Sequence, residues 1–161
     1  MNNLPQKIAG EVKISPAIVE EVQAKIESLV DFKQKIEGSL TKSASEITEI
    51  ILAGGIILDA SDIHIEPQKE VAKMRLRLDG ILQDVLSLDL KIYNLLLSRI
   101  KLLAGLKLNV FNRPQDGRFS TRIEDRDIDF RISTFPTTLG EKIAIRVLDP
   151  KMGLKKFEEL G

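Results

Sequence analysis

From Ser15 onward apolar residues recur at steps of three and four, at Ile18, Val22, Ile26, Leu29, Phe32 and Ile36. That spacing predicts one apolar stripe on a helix of about five turns. Ser15-Pro16 supplies an N-cap and a proline at the first helical position, Glu20 and Glu21 follow where the helix dipole favours acids, and Gly38 closes the element. Ser43-Ala44-Ser45-Glu46 has the pattern of a capping box and opens a second helix through Ile47, Ile50 and Ile51. Gly54-Gly55 weakens that helix by about 1 kcal/mol per glycine, which predicts either a break or a tightly packed continuation.

At Asp62 the period changes to two. Ile63 and Ile65 alternate with Asp62, His64 and Glu66, and after Pro67 the residues Met74, Leu76 and Leu78 alternate with Lys73, Arg75, Arg77 and Asp79. Asp79-Gly80 then marks a two-residue hairpin, because a type I′ turn requires positive φ at both central positions. Helical spacing returns from Leu90 to Ala104, with Ile92, Leu96, Ile100 and Leu103 on one face and Lys91, Asn94, Ser98 and Lys101 on the other. Gly105 is its C-cap. Residues 112–117 form a loop by their proline, glycine and polar content, and strands follow around 118–123, 127–134 and 142–148, the first two joined at Glu124-Asp125. Two helices, three strands, a helix and three strands, linked by hairpins, predict an α+β fold with an antiparallel or mixed sheet covered by helices.

Composition narrows the chemistry. With 161 residues, 43% of them apolar and 30% charged, the chain has the make-up of a globular protein. The N-terminus lacks a signal-peptide pattern and no apolar run approaches the roughly 18 residues of a membrane span, so the expected location is cytoplasmic. There is no cysteine, which excludes thiolate zinc sites and thiol nucleophiles, and no serine sits in a G-x-S-x-G elbow for the single His64 to serve. Asp62, His64 and Glu66 share one strand face, but at roughly 3.3 Å per residue a straight strand spreads them too far apart to converge on one ion, so no metal is expected there. Neither a G-x-x-x-x-G-K-[ST] run nor a G-x-G-x-x-G run occurs, so the chain has no triphosphate cradle of its own.

The balance of 24 basic against 24 acidic residues conceals a basic middle. Residues 91–122 hold seven Lys and Arg against the single Asp116, and a field of one sign bears on partners. Alternation puts Arg118, Ser120 and Arg122 on one strand face, and Asp129, Arg131 and Ser133 on the polar face of the next. Arginines gathered beside a loop suit phosphate, since the guanidinium is permanently charged and binds oxygens in pairs. The competing reading pairs Arg131 with Asp127 or Asp129 on a solvated face, worth at most about 1 kcal/mol. Nucleic acid is not expected as a partner: Tyr93, Phe111 and Phe119 are the only aromatics of 91–122 and form no stacking platform.

Six runs in order carry a resemblance. They are Ala60-Ser61-Asp62-Ile63-His64-Ile65-Glu66-Pro67, Arg75-Leu76-Arg77-Leu78-Asp79-Gly80, Ser98 to Leu106, Arg113-Pro114-Gln115-Asp116-Gly117-Arg118, Asp129-Phe130-Arg131-Ile132-Ser133-Thr134 and Gly140 to Arg146. Across about 44–161 the chain resembles the ATPases of type II secretion and type IV pilus assembly, in the PAS-like α+β domain that precedes their RecA-like nucleotide-binding domain. The resemblance implies the PAS-like domain at 44–153 and at 154–161 the start of a link to a RecA-like domain that this sequence does not contain, while residues 1–43, outside the match, read as a helical lead-in or linker. It implies a non-catalytic part of a homo-hexameric motor that uses ATP and Mg and works at the cytoplasmic face of the inner membrane with the secretion or pilus platform. In that family arginines of this domain approach the ATP phosphates from the same or a neighbouring subunit, and the matching residues here are Arg113, Arg118, Arg131 and Arg146. The alternative is a free-standing PAS-like sensor or adaptor, which would call for a small-molecule cavity.

Overall fold

The first apolar stripe folds as two helices where the spacing predicts one. The structure is a computed structural model that describes residues 10–152, so the expected link at 154–161 lies outside the described residues. Helix α1 runs Pro16–Lys25 and α2 Leu29–Glu37. Between them Ile26 turns extended, the Ser28 side chain accepts from the Asp31 N–H, and the Asp31 carboxylate accepts from the Glu27 N–H at 3.0 Å. These reciprocal bonds satisfy amide groups that a continuous helix would have paired, and they start a new helix. The stripe itself survives the break, since Val22, Ile26, Phe32 and Ile36 are all buried. Ser15 stands at the α1 N-cap without a side-chain capping bond; its amide donates to Glu49 Oε1 at 2.7 Å instead.

Helix α3 (Ala44–Ile57) starts as the capping box predicts, with Glu46 N–H donating to Ser43 Oγ at 3.2 Å. It continues unbroken through Gly54-Gly55 because neighbours fill the space there. A Cβ on Gly54 would lie 2.3 Å from the ring of Phe32.

Six strands follow in two meanders: β1 (Asp62–Pro67), β2 (Val71–Leu78) and β3 (Ile81–Asp89), then β4 (Gln115–Ile123), β5 (Arg126–Thr137) and β6 (Gly140–Leu148). Helix α4 (Leu90–Leu103) joins them. The β2–β3 turn has φ of 51° at Asp79 and 80° at Gly80, as its dipeptide predicts. The loop expected over 112–117 ends earlier, because Gln115, Asp116 and Gly117 already pair with Thr134, Ser133 and Ile132. Gly117 permits this, as a Cβ there would stand 2.4 Å from the Ala104 carbonyl.

The six strands pair antiparallel in the order β3-β2-β1-β6-β5-β4, with an isolated parallel bridge from Glu11 to Ser120 of β4, so the first and last strands meet at the sheet's centre and α4 carries the chain from β3 to β4. The fold is α+β. One sheet face buries Ile63, Ile65, Met74, Phe130, Ile132 and Ile145 against α3 and α4. Among the described residues the helices do not cover the opposite face, whose alternate polar residues are half-buried to exposed. Among the described residues no helix is long and apolar enough to cross a membrane.

Candidate functional site

On the uncovered face, strand pairing lines up residues far apart in sequence. Arg118 of β4 lies directly across from Arg131 of β5, Arg131 across from Arg146 of β6, Arg146 across from Asp62 of β1, and Asp62 across from Arg77 of β2. Partners in an antiparallel ladder sit roughly 4.5–5.5 Å apart at Cα, so three arginine side chains rise from within about 10 Å of backbone. Like charges directly opposite destabilise a sheet, and three in succession create a strong local demand for an anion.

The ends of the row differ. Asp62 Oδ1 lies 3.3 Å from Arg146 Nε, and Asp62 Oδ2 lies 3.5 Å from Arg77 Nε. Arg118 and Arg131 are exposed, and among the described residues their side chains have no ion-pair or hydrogen-bond partner. The acids that sequence offers to Arg131 stand elsewhere: Asp127 pairs with Arg122 at 3.1 Å, and Asp129 lies across from Ser120 and Leu148. Of the four arginines named from sequence, the fold thus gathers Arg118, Arg131 and Arg146. Arg113 is exposed in the segment leading into β4, outside the row.

The neighbouring row contains His64, across from Arg75 on one side and Ala144 on the other. Partial burial, together with Lys142, Arg77 and Arg75 and against the opposing pull of Asp62, holds the His64 imidazole below its usual range. Asp62, His64 and Glu66 do share a face, but Asp62 is committed to two arginines. Among the described residues no group of His, Cys, Asp and Glu is arranged to hold a metal ion. The described residues also form surface grooves, two of which are charged or lie beside the N-terminal segment. One runs between α1 and α2 and is lined by charged residues including Glu21 and Lys35; the other lies beside Gly10–Lys13 and Arg99.

A buried polar link that the helical spacing does not reveal fixes the segment in front of the arginine strand. Lys101, placed on the solvent side of α4 by the sequence reading, is buried, with Nζ 2.7 Å from Glu141 Oε1 and 2.8 Å from the Val110 carbonyl. Tyr93 donates its hydroxyl to the Glu141 carbonyl. Gln115 Nε2 donates to the carbonyls of Val110 and Lys107 at 3.0 Å, and its Oε1 accepts from Lys107 N–H. Helix α4, the start of β6, residues 107–110 and Gln115 are therefore tied together, on both sides of Arg113 in the chain. A signal was present: Lys101 stands four residues after Leu97 and eight after Tyr93, which turns it toward the apolar face.

The chemistry available to the row is anion binding. Its exposed members Arg118, Arg131 and Arg146 are permanent cations, and guanidinium groups meet anionic oxygens in pairs. The profile of the family described as "Type II/IV secretion system protein" matches residues 34–161. Type II secretion system protein E of Pseudomonas aeruginosa is 32% identical over 178 residues, covering 98% of this chain and 36% of that protein. The type IV pilus assembly ATPase PilB of Thermus thermophilus is 31% identical over 161 residues, covering 100% of this chain and 18% of that protein. A putative type II secretion system protein E of Escherichia coli is 46% identical over 111 residues, 69% of this chain and 22% of that protein. The chain spans well under half the length of each of these relatives.

Proposed function

The chain belongs to the type II/IV secretion system protein family, and from that premise we propose that it serves as the non-catalytic α+β domain of a hexameric ATPase motor for secretion or pilus assembly. The observation that carries this reading is the row Arg118, Arg131 and Arg146, two of whose members have no counter-charge among the described residues. A RecA-like domain of the same or a neighbouring subunit would hold ATP and Mg and bring the phosphates against the uncovered sheet face. Three guanidinium groups there neutralise phosphate charge without any proton transfer, and the fit changes when the terminal phosphate leaves. The domain's position thereby depends on nucleotide state, which is how an order–disorder or hinge transition is driven. Arg113, presented from the segment that Lys101 and Gln115 hold, is the fourth contact. On this reading the motor acts at the cytoplasmic face of the inner membrane, where it meets the secretion or pilus platform. The names of the relatives, which include type IV pilus assembly ATPase, support the assignment.

The test is turnover of the complete ATPase. Arg118→Ala and Arg131→Ala should each lower kcat at least about tenfold, since arginines that meet transferring phosphates contribute more than that, while circular dichroism shows the domain still folded. Unchanged turnover for both would leave the row as a solvated sheet face.

A further inference from the structure

We propose that Asp62 is an internal counter-anion for the arginine row, a positioning residue that holds Arg146 while no phosphate is present and gives it up when phosphate arrives. The inference rests on the reading of the row as a phosphate site and adds its regulation. Topology provides the first part. Because β1 and β6 pair although they lie at opposite ends of the sheet's sequence, the carboxylate of Asp62 falls between Arg146 on one side and Arg77 on the other.

The two pairs are unequal. Ser61 Oγ donates to Asp62 Oδ2 at 2.8 Å, and Arg77 is held a second time through the Gly80 carbonyl at 3.1 Å. The Asp62 side chain keeps 13% of its accessible surface, so it is fixed in place. Arg146 keeps 67%, and Asp62 is its sole side-chain partner among the described residues. Arg146 is therefore the mobile member. Its other neighbour across the ladder is Arg131, which has no counter-charge among the described residues. An anion seated over Arg118 and Arg131 competes with Asp62 for Arg146, because Asp62 and Arg131 flank Arg146 on opposite strands and turning its side chain toward the anion draws it away from Asp62. When the anion leaves, Asp62 takes Arg146 back and relieves its repulsion with Arg131. Asp62 thus lowers affinity for the anion and promotes its release.

The experiment measures binding of inorganic tripolyphosphate to the 161-residue chain by titration calorimetry at low salt, where exposed charge interactions are least screened. Asp62→Asn should tighten binding about two- to fivefold, the range set by removal of one exposed competing ion pair. Asp62→Glu should behave as the wild type, and Asp62→Asn combined with Arg146→Gln should lose the gain. In the otherwise unaltered chain, Arg131→Gln should weaken binding more than Arg146→Gln does, because Arg146 must first leave Asp62. Equal or weaker binding by Asp62→Asn, with wild-type binding still dependent on Arg131, overturns the role of Asp62 and leaves the phosphate row standing. Absence of binding by the wild type, or indifference to Arg118→Gln and Arg131→Gln, overturns the phosphate reading itself.

Discussion

Lys101 and Glu141 keep 2% and 6% of their side-chain surface, and their ion pair at 2.7 Å is the most deeply buried charge interaction described. Burying both charges costs much of what their attraction returns, so the pair adds little net stability, yet losing one partner strands the other. Glu141 Oε2 already lacks a hydrogen-bond partner, which makes the carboxylate more dependent on Lys101. Lys101→Met is expected to destabilise the chain by about 3 kcal/mol, read as a lower urea midpoint at unchanged slope. Lys101→Met with Glu141→Leu should recover most of that loss, because no unpaired charge remains. At this scale sequence was a partial guide. Alternation placed Arg118, Arg131 and their neighbours on the correct face, since the strand period is two, whereas a long amphipathic lysine on a helix can sit on either side of the boundary.

Helix α3 shows how packing overrides propensity at the scale of the element. Phe32 of α2 is fully buried against Gly54, and a Cβ would meet three atoms of its ring at 2.3–3.0 Å. At Gly55 the closest atom is Ile63 Cδ1 at 2.9 Å, the free end of a flexible side chain. Alanine gains about 1 kcal/mol over glycine in a helix interior, but overpacking a rigid ring costs about 1–3 kcal/mol. Gly54→Ala should therefore lower the melting temperature, and Gly55→Ala should change it by less or raise it. A larger loss from Gly55→Ala would sink this account. The capping box at Ser43 and the Asp79-Gly80 turn were legible because each depends on a few adjacent residues. The break at Ile26–Ser28 was not, since the periodic stripe continues across it and the reciprocal bonds of Asp31 with Ser28 and Glu27 start a new helix within it. The turn expected at Glu124-Asp125 is present as well, with φ of 49° and 63° adopted by two non-glycine residues.

At the scale of the molecule, residues before α3 bear on where the domain begins. Val12, Ile14, Val22, Ile26, Phe32 and Ile36 lie in the same core as α3 and the sheet. Burying such a side chain is worth about 1.5–3 kcal/mol, so six of them rival the roughly 5–15 kcal/mol by which a domain is stable. A chain trimmed to 44–161 is expected to lose its cooperative thermal transition by circular dichroism, and a trimmed chain that melts within a few degrees of the whole would make 1–43 a dispensable lead-in. The sequence by itself determined the local periods, hence which residues form helices and strands and which strand face is polar, and its ordered motifs pointed to the family. Those properties follow from neighbours a few residues apart. Only the tertiary structure decided that Arg118, Arg131 and Arg146 share one row and that Asp62 meets Arg146, 84 residues away. Alternation fixes the face of a strand but not its neighbour, and the neighbour is chosen by how the apolar face of the whole sheet closes over α3 and α4.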